Sequence, residues 1–266
     1  MAIYMGSGAH PILDPQPNYT PRIVKYPKIE TLFKREEGTF RITPIVRQVD
    51  SILALTYISP LVVEEKIDGT NAHILCTYDN KEGFIYRFYS RNNEIPHVGE
   101  DIMYIRETLT KVVDIRNIKG WYLDNFVKEG REEYPEVRIY GEVFGYKIQK
   151  NIYTNDKERS FRVFDVKINN NWLSIKDRNE FCNKVGLRIV PTITKLNRFI
   201  SYEEWHYTLY HHPNYKYSLL ANEYGRNKEL LEGYIIRPEI TLYTDRGRVI
   251  GKIKRKDFLT EKEKNN

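Results

Sequence analysis

Residues 60–71 read PLVVEEKIDGTN: an aliphatic run, two acids, a lysine, and then Asp68-Gly69. Leu61-Val62-Val63 favour a strand and Asp-Gly favours a turn, so Lys66 is expected at a strand end, just before the chain turns. A lysine flanked by apolar strand residues is partly desolvated, which disfavours the ammonium form. A lysine of ordinary pKa, about 10.4, is neutral in only a few parts in ten thousand at pH 7, so a nucleophilic one needs that environment plus nearby positive charge. A K-x-D-G string arises by chance in roughly one chain in fifteen of this length, so its meaning depends on the company it keeps.

Outward from this point the chain reads as many short strands. LVVEEKI, AHILCTY, FIYRFYS, VRIYGEVFG, FRVFDVKI, LRIVPTI, GYIIRP and RVIGKIK are rich in Val, Ile, Tyr and Phe and are bounded by turn formers such as Asp79–Gly83 and Asn169–Asn171. Helices interrupt them irregularly. Ile102, Ile105, Leu109, Val112 and Val113 recur at helical spacing between Asp101 and Asn117, which predicts one amphipathic helix there. Asp177 with Glu180, and Ser201 with Glu204, predict capping boxes opening two more, with Gly186 as a stop for the first. Hairpin-like strands with scattered helices predict an α+β architecture rather than a doubly wound parallel sheet. The first twenty-five or so residues read as an irregular lead-in. The partition expected is an N-terminal appendage over residues 1–60, of no assigned role, and one catalytic-sized domain over 61–266.

Further polar residues stand out against the apolar strands. Glu142 in RIYGEVFG and Glu232 in LEGYIIRP each sit beside a glycine at the edge of an otherwise apolar run. In RVIGKIKRK, Lys252, Lys254 and Lys256 share one face of a strand, and three ammonium groups there would repel unless an anion sits between them. Hard carboxylate oxygens suit Mg²⁺ and clustered cations suit phosphates, so this set points to a metal–nucleotide site.

Composition narrows the class. The 266 residues are 41% hydrophobic and 29% charged with a formal charge of +6, a globular balance compatible with a polyanionic partner. No apolar run approaches the eighteen or so residues of a membrane span, and the N-terminus lacks a signal-peptide layout, so an intracellular, non-secreted protein is expected. Cys76 and Cys182 have no metal-ligand or disulfide-framework spacing and read as buried thiols. His211-His212 and the other histidines show no triad or metal pattern, and the tyrosines between Tyr207 and Tyr217 read first as packing residues, with base stacking as the other use.

Taken in order, KIDG at Lys66, SRN at Ser90–Asn92, YGEVFG around Glu142, FRVFDV at Phe161–Val166, EGYIIR from Glu232 and KIK at Lys252–Lys254 resemble the motifs of the covalent nucleotidyltransferases. Within that superfamily, EEKIDGTN, GEVFGYKIQKN, EGYIIRP and KIKRKDFLTEK are most similar to the phage RNA ligase 2 and RNA-editing ligase family. Asp68 departs from the histidine frequent in that family. The resemblance implies an ATP-grasp-like nucleotidyltransferase domain of antiparallel sheets flanked by helices, and an ATP-dependent RNA ligase. Lys66 would take AMP from ATP, pass it to an RNA 5′-phosphate, and let a 3′-hydroxyl displace it. By motif position Lys252 and Lys254 hold the α-phosphate and favour the neutral amine of Lys66. Glu232 would bind Mg²⁺ or Mn²⁺, Glu142 would bind ribose or metal, and Asn71 and Arg91 would contact the nucleotide or the 5′-phosphate. By the same resemblance Phe164 would stack on adenine, with a core position as the competing reading, and the Glu65 backbone would read the adenine edge. Only ten residues follow Lys256, too few for the oligonucleotide-binding barrel of DNA ligases and capping enzymes, or for the helical domain of RNA ligase 2. A compact DNA ligase, a GTP-dependent capping guanylyltransferase and a non-catalytic nucleic-acid-binding scaffold are the alternatives, and oligomeric state is not legible.

Overall fold

Strand pairing divides the β-rich sequence into separate sheets, and the Lys66 turn carries the chain from one to another. The computed structural model describes residues 25–39, 41–47, 60–96, 102–155, 157–244 and 247–259. The expected irregular lead-in falls almost wholly outside them. The elements run β1 (Phe33–Arg35), β2 (Ile42–Val46), β3 (Leu61–Lys66), β4 (Thr70–Asp79), β5 (Gly83–Ser90), α1 (Met103–Val112) and α2 (Ile115–Phe126). There follow β6 (Val137–Gly145), β7 (Arg159–Ile168), β8 (Asn171–Trp172), α3 (Ile175–Val185), β9 (Thr192–Leu196), α4 (Tyr202–Tyr210) and α5 (Leu219–Glu223). The chain continues through β10 (Gly233–Pro238), β11 (Tyr243–Thr244), β12 (Gly247–Arg248) and β13 (Gly251–Lys254). The antiparallel sheets and helices make the fold α+β, as expected.

A five-stranded sheet has the order β5-β4-β6-β7-β8 and a four-stranded one β13-β10-β3-β9. On the first, Ala72, Ile74 and Cys76 alternate onto one face and pack with Ile105 and Leu109 of α1, Ile118 and Tyr122 of α2, and Phe181 and Val185 of α3. On the second, Leu61, Val63, Tyr234, Ile236 and Ile253 pack with Phe33, Ile42, and Trp205 and Leu209 of α4. Leu32, Phe33, Ile42 and Val46 join this second core, and Leu32 N–H donates to the Lys252 carbonyl (2.9 Å) and Lys252 N–H to that of Glu30 (3.0 Å), adding a parallel bridge at the sheet edge. A smaller cluster of Ile67, Phe144, Tyr153, Val190 and Leu220 sits beneath the turn between β3 and β4.

Three local expectations change. The helix expected across 101–117 is two, because Asp114 leaves helical geometry and its carboxylate caps α2 through Arg116 N–H (3.0 Å). The cap expected at Asp177 belongs to Ser174, which accepts from Asp177 N–H (3.1 Å); Gly186 does end the helix, in the left-handed conformation at φ 73°. The run LRIVPTI is not one strand. Residues around Ile189 bridge to β7, and only after Pro191, which cannot donate to a ladder, does the chain join β3 in the other sheet. The Ser201/Glu204 capping box forms as expected. No helix among the described residues is long and apolar enough to cross a membrane.

Candidate active site

Lys66 ends β3, and the next three residues cross from the four-stranded to the five-stranded sheet, so the groups around it come from both. Gly233 lies opposite Lys66 on one side and opposite Lys254 on the other, which aligns three neighbouring strands at this point. A Cβ at Gly233 would collide with the Ile253 carbonyl oxygen and stand 2.7 Å from Lys254 Cα. The glycine beside Glu232 thus lets β13 approach closely. Glu232 then bridges two cations: one carboxylate oxygen pairs with Lys66 Nζ and the other with Lys254 Nζ (2.7 Å). Although burial pushes its carboxyl up, Lys66 and Lys254 hold Glu232 below the usual carboxylate range.

Gly69 fills the same role at the turn, where a Cβ would strike the Val143 carbonyl oxygen and the Glu142 side chain. Asn71 on β4 lies in register with Glu142 on β6. The Asn71 side-chain oxygen is buried and has no hydrogen-bond partner. Burial pushes the Glu142 carboxyl up to about 8; Lys66 pulls it back, while Glu232 and Asp68 push it further. The Asp68 carboxyl is raised by burial and by Glu232. Its backbone N–H donates to the Tyr153 hydroxyl (2.7 Å), which pins the turn.

A cavity of about 200 Å³ opens between the sheets, with Lys66, Glu65, Asn71, Arg91, Glu142, Phe164 and Lys252 all in its wall. Burial, with Lys254 and Lys66 close by, pulls Lys252 down to about 8. Arg91 is exposed at the mouth. Phe164 lines the cavity and meets Tyr26 edge-on, ring centroids 5.0 Å apart. Glu65 is engaged elsewhere. Its side chain accepts from Ser218 Oγ (2.5 Å) and Leu220 N–H (3.0 Å), and burial still pushes it up to about 7. Its backbone N–H donates to Pro191 O (2.9 Å), so a purine edge could be read there only through the carbonyl.

The cavity also has walls and a floor that motif reading missed. Tyr26, Pro27, Lys28 and Ile29, from ahead of the strand-rich region, line one side. Beneath them Arg237 pairs with Asp165 (2.6 Å) and Glu64 (2.7 Å), Arg178 with Glu64 (2.7 Å), and Arg248 with Asp165 (2.6 Å). Burial alone would raise Asp165; Arg237 and Arg248 hold it well below the carboxylate range, and Tyr26 donates its hydroxyl to it (2.5 Å). The available signal was an acid or arginine inside an otherwise apolar strand, as at Glu64, Asp165 and Arg237, since a buried charge requires a partner.

Among the described residues no group of three His, Cys, Asp or Glu can hold a metal by itself. Mg²⁺ does not need one, because it is held by one or two carboxylates with phosphate and water oxygens. Glu232 raises the proton affinity of both Asp68 and Glu142, and Asp68 raises that of Glu142, a repulsion that a divalent cation would relieve. The donor set therefore fits such an ion when phosphates accompany it.

A family model described as RNA ligase matches residues 59–254. The fold is similar to that of Naegleria gruberi RNA ligase with PPi, at 18% identity and a TM-score of 0.55, over 91% of this chain and 64% of that one. It is also similar to a mutant of that ligase with ATP and Mn, at 19% identity and a TM-score of 0.53, over 91% of this chain and 65% of that one. At such identity the likeness establishes the fold, and the chain spans less than two thirds of those structures. No curated protein sequence matches it.

Proposed function

The chain belongs to the RNA ligase family, and from that premise we propose that it is an ATP-dependent RNA ligase whose first step adenylylates Lys66. The supporting observation is the chain of charges Lys66–Glu232–Lys254, which starts at a lysine in the wall of a cavity that Lys252, Glu142, Asn71 and Phe164 share. Phosphoryl transfer depends mainly on positioning and charge neutralisation, which this set supplies. Glu232 holds the Lys66 amine in place, and the Lys66 ammonium passes its proton to solvent before Nζ attacks the α-phosphorus. The new N–P bond forms as the bond to pyrophosphate breaks, leaving lysyl-AMP. Lys252 and Lys254 face the phosphates, Phe164 stacks on adenine, and Asn71 and Arg91 contact the nucleotide or the incoming 5′-phosphate. A Mg²⁺ or Mn²⁺ ion held by Glu232 or Glu142 would neutralise charge on the phosphates. AMP then passes to an RNA 5′-phosphate and a 3′-hydroxyl displaces it. Both cysteines are unpaired and buried, which suits an intracellular setting.

Intact mass after incubation with ATP and Mg²⁺ tests the first step. The expected outcome is a gain of one AMP, absent with GTP and absent in Lys66→Ala. Folded protein that gained no mass with ATP, even after pyrophosphate treatment to strip bound AMP, would overturn the proposal.

A further inference from the structure

The segment between Ser201 and Ser218 carries more rings than the core takes up. Trp205 and Leu209 face inward from α4 and fill the second core. At the edge of that core half-buried His206 stacks on Tyr210 (centroids 4.8 Å apart, 20° between planes), and further out the Tyr207 ring lies 5.8 Å from that of His211. In the following loop His212 stacks on Tyr215 (4.2 Å, 8°). Tyr207 is 54% exposed and His211 is exposed, and their four-residue spacing puts them side by side. The acids of α4 sit in its first turn, where Glu204 closes the capping box and pairs with Arg198. Cations border the ring-bearing end. Lys216 lies over the Tyr217 ring (5.1 Å), Arg255 over Tyr210 (4.3 Å), and Lys256 is exposed beside it.

This surface is tied to Lys66 through the backbone. The Tyr210 hydroxyl donates to the Arg255 carbonyl (2.7 Å), Arg255 N–H donates to the Glu232 carbonyl (2.9 Å), and Glu232 carries Lys66 and Lys254. We propose that it is a stacking platform for an unpaired end of the RNA substrate, with bases on Tyr207 and His211 and phosphates against Lys216 and Lys256. The inference rests on the RNA ligase reading of the Lys66 site. Every base offers a π face, so aromatic platforms beside cations hold single strands with little sequence preference. A duplex keeps those faces stacked and is held by its backbone instead. Continuity with the catalytic cations favours a polynucleotide here over a protein partner.

Two readouts on the full chain separate the platform from the catalytic reading: AMP labelling, and fluorescence anisotropy with a short 5′-phosphorylated single-stranded RNA and a nicked duplex without unpaired bases. Replacing Tyr207→Ala together with His211→Ala is expected to weaken single-strand binding roughly 10- to 100-fold, while Tyr207→Phe keeps it. AMP labelling and duplex binding should match wild type in both variants. Wild-type affinity in the double variant, an equal loss for the duplex, or no single-strand binding by wild type would each overturn the platform; the first would leave the rings to a protein partner. Loss of AMP labelling from the wild-type protein is a separate readout and would instead overturn the Lys66 reading.

Discussion

Glu232 pairs with two ammonium groups at once, so its charge matters more than its shape. Glu232→Gln keeps the shape, and single-turnover AMP transfer to Lys66 is expected to fall by roughly two orders of magnitude. A rate within a few-fold of wild type would show that the ion pairs are incidental. Glu65 gives a pH signature. Its carboxyl is raised from an ordinary 4.5 to about 7, chiefly by burial. The folded state therefore binds more protons than the unfolded state between those values. Its contribution to stability is fully present below pH 4.5 and is lost as pH rises to about 7. Urea unfolding of Glu65→Gln should show a shallower decline across that window; an unchanged slope would assign the pH dependence to other groups. Lys66, Glu142, Glu232, Lys252 and Lys254 were legible because their chemistry is unusual for their apolar surroundings. Tyr26 was not, because tyrosine is common throughout this chain and nothing local marks one that turns into a cavity.

At the level of elements, close approach between β10 and β13 brings Lys254 to Glu232. Gly233→Ala would drive a methyl into the Ile253 carbonyl, and backbone cannot rotate out of the way. A loss of about 1–3 kcal/mol in unfolding free energy is expected, together with loss of AMP labelling. Full stability in the variant would mean that β13 can shift without consequence. Ser201→Ala is the contrasting case, since it removes a cap far from the cavity. It should lower stability by about 1 kcal/mol and leave labelling intact, as a thermal melt and the mass assay would show. Periodicity placed β4 to β7 and β10 well, because alternation is a local signal. It could not show that Asp114 divides a helix or that Pro191 passes the chain between sheets. The runs on both sides of each break are equally apolar, and only packing distinguishes them.

Across the whole molecule, the buried network of Arg237, Glu64, Asp165, Arg178 and Arg248 links the two sheets beneath the cavity. Removing one partner of a buried pair costs about 3–5 kcal/mol because a charge is left without compensation. In Arg237→Met each acid keeps one other arginine, so a loss of about 3 kcal/mol is expected in urea unfolding, with weakened ATP-dependent labelling as the cavity floor loosens. A neutral effect would mean that Arg178 and Arg248 suffice. The types and order of the candidate site residues, and the α+β class, follow from the linear chain, since strand alternation, turn chemistry and motif order need no distant partner. The site itself does not follow from it. Lys66 and Glu232 are 166 residues apart, and Tyr26 and Asp165 are 139 apart. Which side chains meet across such separations depends on strand order and register and on which faces pack together, and those come from burying both sheets at once.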